Sequence, residues 1–516
     1  MPYGPSMTLI RDVRIVPIGG VTAPYGHVDL RLRDGRLSAV EASLTPERGE
    51  EVHDGGGRWA MPGLWDQHVH MGQWVLMSMR LDTAAVRSPE EACALVRDAV
   101  AGMRPGETLQ GWGHRSATWS RRPRVAELDA VSGGRPVVLI SGDGHHGWMN
   151  SIAMAMLGVP ARDGVVEEAE WFALYPRLME LPGVAQGMER RYAGVVRAAN
   201  ALGVTGVVDM EFAHGYLDWP RRFAGVPGCD PVDTLRVRAA IYEEGLSGVL
   251  GAELRTGDSL LPGRGEEPGG PMLTMGPLKV IADGSLNTRT AYCCEPFADA
   301  HEDQEPCGVQ NIAPERLTEL MRIATRGGLE VAAHAIGDAA VRDVVGSFAE
   351  SGARGSVEHA QLVRFEDVGR MADLDLAVSA QPAHLLDDRD VTDACWPDRG
   401  DRCFALRSMG AAGVDVRLGS DAPVSPLDPW LEIASAVHRS ADAREAWHPE
   451  QALTVEQALA CSTDGATTLA VGSLADVVLL DADPLAVPSD SREASAYLRE
   501  MRVGATFVAG RLVASQ

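Results

Sequence analysis

Residues 276–291 read GPLKVIADGSLNTRTA, an apolar, strand-like run that ends at Asp283-Gly284 and carries a lysine in its middle. Lys279 is the only lysine of the 516-residue chain; the other 46 of its 47 basic residues are arginine. A bias that strong has replaced lysine wherever a plain positive charge suffices. The survivor sits between Leu278 and Val280-Ile281, where a solvated cation has no place. Guanidinium stays charged, whereas a buried lysine gives up its proton readily. The neutral amine can act as a Schiff-base nucleophile, as a general base or, after adding CO2, as a carbamate that binds metal the way a carboxylate does. The plainer alternative is an ion-paired core lysine.

On either side of this run the chain alternates strand-like and helical spacing. Strand candidates lie at 203–210, 234–242, 329–337, 355–363, 376–384 and 414–422. Between them, Leu317, Leu320, Met321 and Ala324, then Val341, Val344, Val345 and Phe348, recur at helical intervals. With a strand at 64–68 this gives eight units and predicts an α/β fold: a (β/α)8 TIM-type barrel over 61–472, with its active site where the strands end. The 133 residues between His70 and Val204 exceed one unit, so 75–190 is expected to be an insertion after the first strand that forms a lid. Residues 7–60 alternate apolar and polar with period two, as do SLADVVLLDADPL and MRVGATFVAGRLVA near the C-terminus. Segments 1–60 and 473–516 are therefore expected to build one composite β-sandwich domain. The six residues before Met7 look irregular.

The net charge of −25 leaves nothing to neutralise phosphate, so a small-molecule substrate is expected and neither nucleic acid nor an anionic membrane. The N-terminus has no apolar signal region and no run of about 18 apolar residues appears. Eight scattered cysteines without a CxxC pair are too few for a disulfide framework and point to a reduced protein; Cys293-Cys294, the one adjacent couple, are expected to be ordinary buried thiols. The expected location is the cytoplasm.

The chemistry gathers at the strand ends. In MPGLWDQHVH (61–70), His68 and His70 are two residues apart and project from the same side of a strand. His334, His359 and Asp421 close later runs, and Lys279 lies on the fourth. Any one of these histidines is ordinarily a satisfied core residue. Four histidines, the sole lysine and an aspartate together make a ligand set for Zn2+ or a similar divalent ion.

These blocks, with DGHHGWMN, HAIGDAAV, VEHAQLV, QPAH, LGSDAPVSPLDPW and SLADVVLLD in the same order, resemble the amidohydrolase superfamily. Within it the chain is similar to the amidohydrolase-3 branch that contains N-substituted formamide deformylases. The resemblance implies a metal-dependent hydrolase of a non-peptide C–N bond in an amide, N-formyl or N-acyl group. It implies two Zn2+ per subunit: one held by His68, His70 and Asp421, the other by His334 and His359, with carboxylated Lys279 bridging them. Two such ions about 3.5–4 Å apart hold a hydroxide. Asp421 then acts as general base and afterwards as acid, and His384 donates to the carbonyl oxygen as charge develops. Asp338 either orients the fifth-strand ligand or is a plain carboxylate at a helix N-terminus.

Substrate contacts are expected from Trp112, His114, His145 and His146 of the insertion and from Arg289, which can grip a carboxylate in two places. Trp74, Trp112 and Trp148 read equally as insertion core, and Arg289 equally as a salt-bridge partner. The chain departs from its relatives at His114, at His146, at Asn287 and in a shorter connection before the SLADVVLLD block. A homodimer is the assembly expected. Two other functions compete: a mononuclear deaminase of an aminated heterocycle, against which stand Lys279 and the absence of HxxE at His334-Ala-Ile-Gly-Asp, and a non-catalytic scaffold.

Overall fold

The computed structural model describes residues 7–104, 106–212, 215–261, 269–301, 305–442 and 444–516; the six residues before Met7 lie outside that range. Eight strands form one parallel sheet whose order follows the chain: β1 (Leu64–Val69), β2 (Val204–Asp209), β3 (Arg236–Ile241), β4 (Leu273–Ile281), β5 (Val331–Ala335), β6 (Gly355–His359), β7 (Ala377–Ala380) and β8 (Asp415–Leu418). The sheet curls into a barrel because β8 returns to β1. Val69 bridges Ala422, the Asp421 N–H donates to the His68 carbonyl at 2.7 Å, and the His70 N–H donates to the Ala422 carbonyl at 2.9 Å. The rim is thus sealed by the backbone of the residues expected to hold metal.

Helices clothe the barrel where the spacing places them. Between β4 and β5, α1 (Pro314–Arg326) starts with Pro314 in its first turn, where the missing N–H costs no bond. It buries Leu317, Leu320, Met321 and Ala324. Between β5 and β6, α2 (Asp338–Ser351) buries Val341, Val344, Val345 and Phe348 and stops at left-handed Gly352, φ 69°. β5 reads VAAHA, and its Ala332 lies in register with Lys279 of β4. A methyl group there leaves room inside the barrel for the long amine.

Both chain ends meet in an eight-stranded sheet. Strand Met7–Ile15 pairs with Val28–Arg33, Glu51–Asp54 and Trp59–Pro62; Trp59–Pro62 pairs with Val477–Leu480, which continues to Val503–Val508 and Arg511–Ser515. The chain divides into two compact units, one of which contains the barrel and this sheet. The other is Gly72–Val195 together with Val226–Asp230, built on a five-stranded sheet from Leu81–Asp82 to Val166–Glu167 with strands Leu109–His114, Val137–Ser141 and His146–Met149 between. No helix among the described residues is long and apolar enough to cross a membrane.

Candidate metal centre

Five elements deliver the expected ligands to one place. His68 is the hub: its Nε2 lies 3.2 Å from Lys279 Nζ and 3.6 Å from Asp421 Oδ1. His70 Nε2 is 3.3 Å from the same oxygen, and His384 Nε2 is 4.0 Å from Asp421 Oδ2. Ring centres of His359 lie 5.0 Å from His68 and 4.6 Å from His334. The structure therefore brings together all six sequence-derived ligands, with His384 beside them.

Two carboxylates that the sequence reading passed over fix this cluster. Glu358 accepts from His68 Nδ1 through Oε2 at 2.7 Å and from the Ser356 hydroxyl through Oε1. With its Nδ1 proton pinned to a carboxylate, His68 turns its Nε2 lone pair toward Lys279, the tautomer a metal ligand needs. Asp283 is wholly buried and lies 3.3 Å from His334 Nε2. Its oxygens accept backbone N–H groups of Tyr292, Ile336 and Gly337 at 2.9, 3.0 and 2.8 Å, drawing the loop after β5 against the end of β4. Asp338 faces elsewhere: it accepts from the Cys294 N–H at 2.8 Å and from Arg402 Nη1 at 3.2 Å, so the carboxylate beside His334 is Asp283.

Backbone and electrostatics are both strained here. His359, Ala360 and Asp421 have φ of 70°, 43° and 54°, a left-handed conformation that costs non-glycine residues of order 1–3 kcal/mol and concentrates at functional sites. Burial pulls Lys279 below the ordinary amine range, although Glu358 and Asp421 oppose it. Burial likewise lowers His68 and His359 and takes His334 to about 3. For Asp421 burial acts upward, but His68, His70, His359 and His384 around it prevail and hold it well below the usual carboxylate range. Neutral imidazoles around a firmly anionic carboxylate are the protonation states in which nitrogen and oxygen donate to metal.

The donor set fits a divalent cation. Ligand atoms of His68, His359 and Asp421 all lie within 4.8 Å of one another, and His384 Nε2 is buried with no hydrogen-bond partner among the described residues.

The expected substrate residues are more scattered. Arg289 spends its guanidinium on Asp299, Nη2 at 2.6 Å and Nε at 3.1 Å, which is the salt-bridge alternative. In the insertion unit His114 is fully buried, donating from Nε2 to the Leu139 carbonyl at 3.2 Å with its ring against Trp119 and His146. His146 Nε2 meets Ser116 Oγ at 2.7 Å; exposed His145 lies 3.4 Å from Glu168. Trp112 is half-buried beneath the Arg80 guanidinium, and Trp148 is wholly buried, donating to the Arg124 carbonyl. Asn287 donates to Asp388 at 3.0 Å. All eight cysteines are free thiols; Cys293 is buried, but Cys294, expected to be buried with it, is exposed.

A closed parallel barrel that gathers imidazoles, an amine and an aspartate at the C-terminal ends of its strands defines a metal-dependent hydrolase. The chain belongs to the amidohydrolase family, whose model matches residues 51–514. It is 25% identical over 559 residues to the N-substituted formamide deformylase of Arthrobacter pascens, covering 98% of this chain and 99% of that one. It is 27% identical over 527 residues to Protein LONG AFTER FAR-RED 3 of Arabidopsis thaliana, covering 93% and 84%. Among solved structures, an uncharacterized metal-dependent hydrolase from Pyrococcus furiosus superposes with a TM-score of 0.76 at 25% identity, covering 93% of this chain and all of the other.

Proposed function

We propose that this protein hydrolyses a non-peptide C–N bond of a small molecule, an amide or an N-formyl or N-acyl group, at a binuclear zinc centre. The observation that carries the reading is the sole lysine. Its amine, depressed by burial, points at the Nε2 lone pair of His68 inside a nest of imidazoles. Carboxylated, Lys279 would bridge the His68, His70 and Asp421 group to the His334 and His359 group. Bound by these side chains, divalent cations supply Lewis acidity to the scissile carbonyl and lower the pKa of the attacking water.

The chain's own groups do the rest. Asp421 accepts the proton of the attacking water. It then passes that proton to the leaving nitrogen as the C–N bond breaks. His384, whose Nε2 is buried without a hydrogen-bond partner among the described residues and lies 4.0 Å from Asp421 Oδ2, donates to the carbonyl oxygen as it gains charge. Products are the carboxylic acid, formate for a formamide, and the free amine.

The test is metal analysis of purified protein together with a panel of formamides, N-acyl amino acids and carbamates, with a Xaa-Pro dipeptide as the peptide-bond control. Cleavage confined to the dipeptide would move the reading to peptide bonds. Lys279→Arg, a permanent cation that cannot form the carbamate, should lose at least a thousandfold in kcat/KM and about one zinc per chain. Full activity in that variant would end the carbamate assignment.

A further inference from the structure

The insertion unit contains a cavity of about 490 Å3. It lies between the end of helix Met71–Met79, residues 103–104 and 107–110, and the first turn of helix Val184–Ala201. Its charge runs against that of the whole chain. Arg80, Arg104, Arg190 and Arg191 line it with a single carboxylate, Glu107, in a protein of net charge −25. Glu107 neutralises only one of them, Arg190, through a 2.7 Å bond to Nη2. Arg191 spends Nε on the Ser78 hydroxyl at 3.1 Å, and Arg104 makes no ion pair among the described residues. Four cations around one anion repel one another, and an acidic protein has carboxylates to spare for relieving that; no second one lines the cavity among the described residues.

Three further features point to an anion with an organic body. The helix that opens at Val184 carries no acidic residue in its first turn, so the positive pole of its backbone adds to the arginines. Gly183 and Gly187 put no side chain between that turn and the cavity. Gln110, only 6% exposed, lines the cavity with an Oε1 that has no donor among the described residues, and Arg80 has a buried Nε with no acceptor among them. The remaining wall is apolar, with buried Leu109 and Val184 beside Leu76 and Met103.

We propose that this cavity is a second ligand site, distinct from the metal centre, for a small organic anion with a phosphate or carboxylate head and an apolar body. The arginines grip the head as guanidinium grips any planar or tetrahedral oxyanion, and the apolar wall takes the body.

Isothermal titration of the full-length protein as purified, with phenyl phosphate, benzoate and inorganic phosphate, tests this. The expected result is saturable binding of phenyl phosphate or benzoate at least tenfold tighter than inorganic phosphate; whichever of the two binds tighter names the head group. Binding should weaken at least tenfold in the doubly substituted Arg104→Ser/Arg191→Ser protein. Both arginines are exposed, so its thermal midpoint should match the wild type, and Arg104→Ser alone serves if the pair misfolds. No saturable binding overturns the proposal. So does inorganic phosphate binding as tightly as phenyl phosphate, or affinity unchanged by the substitutions, which would place the ligand elsewhere, at the metal centre included.

Discussion

Two adjacent residues, Glu358 and His359, both reach His68: the carboxylate at 2.7 Å from Nδ1, the imidazole with its ring centre 5.0 Å away. On a regular strand neighbours point to opposite faces, so a regular strand that turns His359 inward turns Glu358 away. The left-handed turn at His359 and Ala360 breaks that rule and lets both in. Glu358 and Asp283 were illegible for this reason: one breaks the alternation, and the other acts through backbone groups of a loop distant in sequence. Glu358→Ala should release the His68 tautomer and weaken divalent-metal binding by about 10- to 100-fold, the usual cost of losing the partner of a ligating histidine. Glu358→Gln, which still offers an oxygen to Nδ1–H, should recover part of the affinity. Chelator competition measures both, and an unchanged metal affinity in Glu358→Ala would reduce the carboxylate to a packing role.

Elements with a strong period were read almost directly. α1 and α2 bury the residues whose spacing marked them, because an apolar stripe recurring at helical intervals has one face to hide. The polar pins between elements were not readable, since no local pattern announces a contact across more than two hundred residues. Arg236 at the start of β3 is the clearest case. Buried, it forks onto Asp476 with Nε at 2.5 Å and Nη2 at 3.1 Å, and donates to the carbonyls of Gly269, Gly270 and Pro271. Asp476 in turn accepts the Ala509 N–H at 2.8 Å, so one carboxylate joins a barrel strand to the C-terminal strands. Removing one partner leaves the other as an uncompensated buried charge, which costs about 3–5 kcal/mol. Asp476→Ala should destabilise the fold by that amount in denaturant unfolding, while the exposed pair Arg354–Asp375, 3.9 Å apart, should tolerate Arg354→Ala with a loss under about 1 kcal/mol.

At the scale of the whole chain, acidity and burial set opposite pH trends. With 72 acidic and 47 basic side chains, lowering the pH toward the isoelectric point removes mutual repulsion and by itself favours the folded state. Buried histidine acts the other way. His114 has no exposed surface, and burial takes it down to about 4 from an ordinary 6.5, against the opposing hydrogen bond to the Leu139 carbonyl. The unfolded chain protonates this ring near pH 6.5, the folded chain only near 4. Below 6.5 the unfolded state therefore binds more protons, and stability is lost as pH falls across that window. At 1.36 kcal/mol for each unit, the loss approaches about 3 kcal/mol. The two trends separate by comparison with His114→Gln, whose amide can still donate to Leu139 but does not titrate. Every carboxylate affects both proteins alike, so the difference between their unfolding free energies isolates the ring. The stability of the wild type relative to the variant should be constant above pH 7 and should fall by about 2 kcal/mol or more between pH 6.5 and 4.5. A difference that stays flat over that interval would mean that the ring takes up its proton inside the folded unit without penalty.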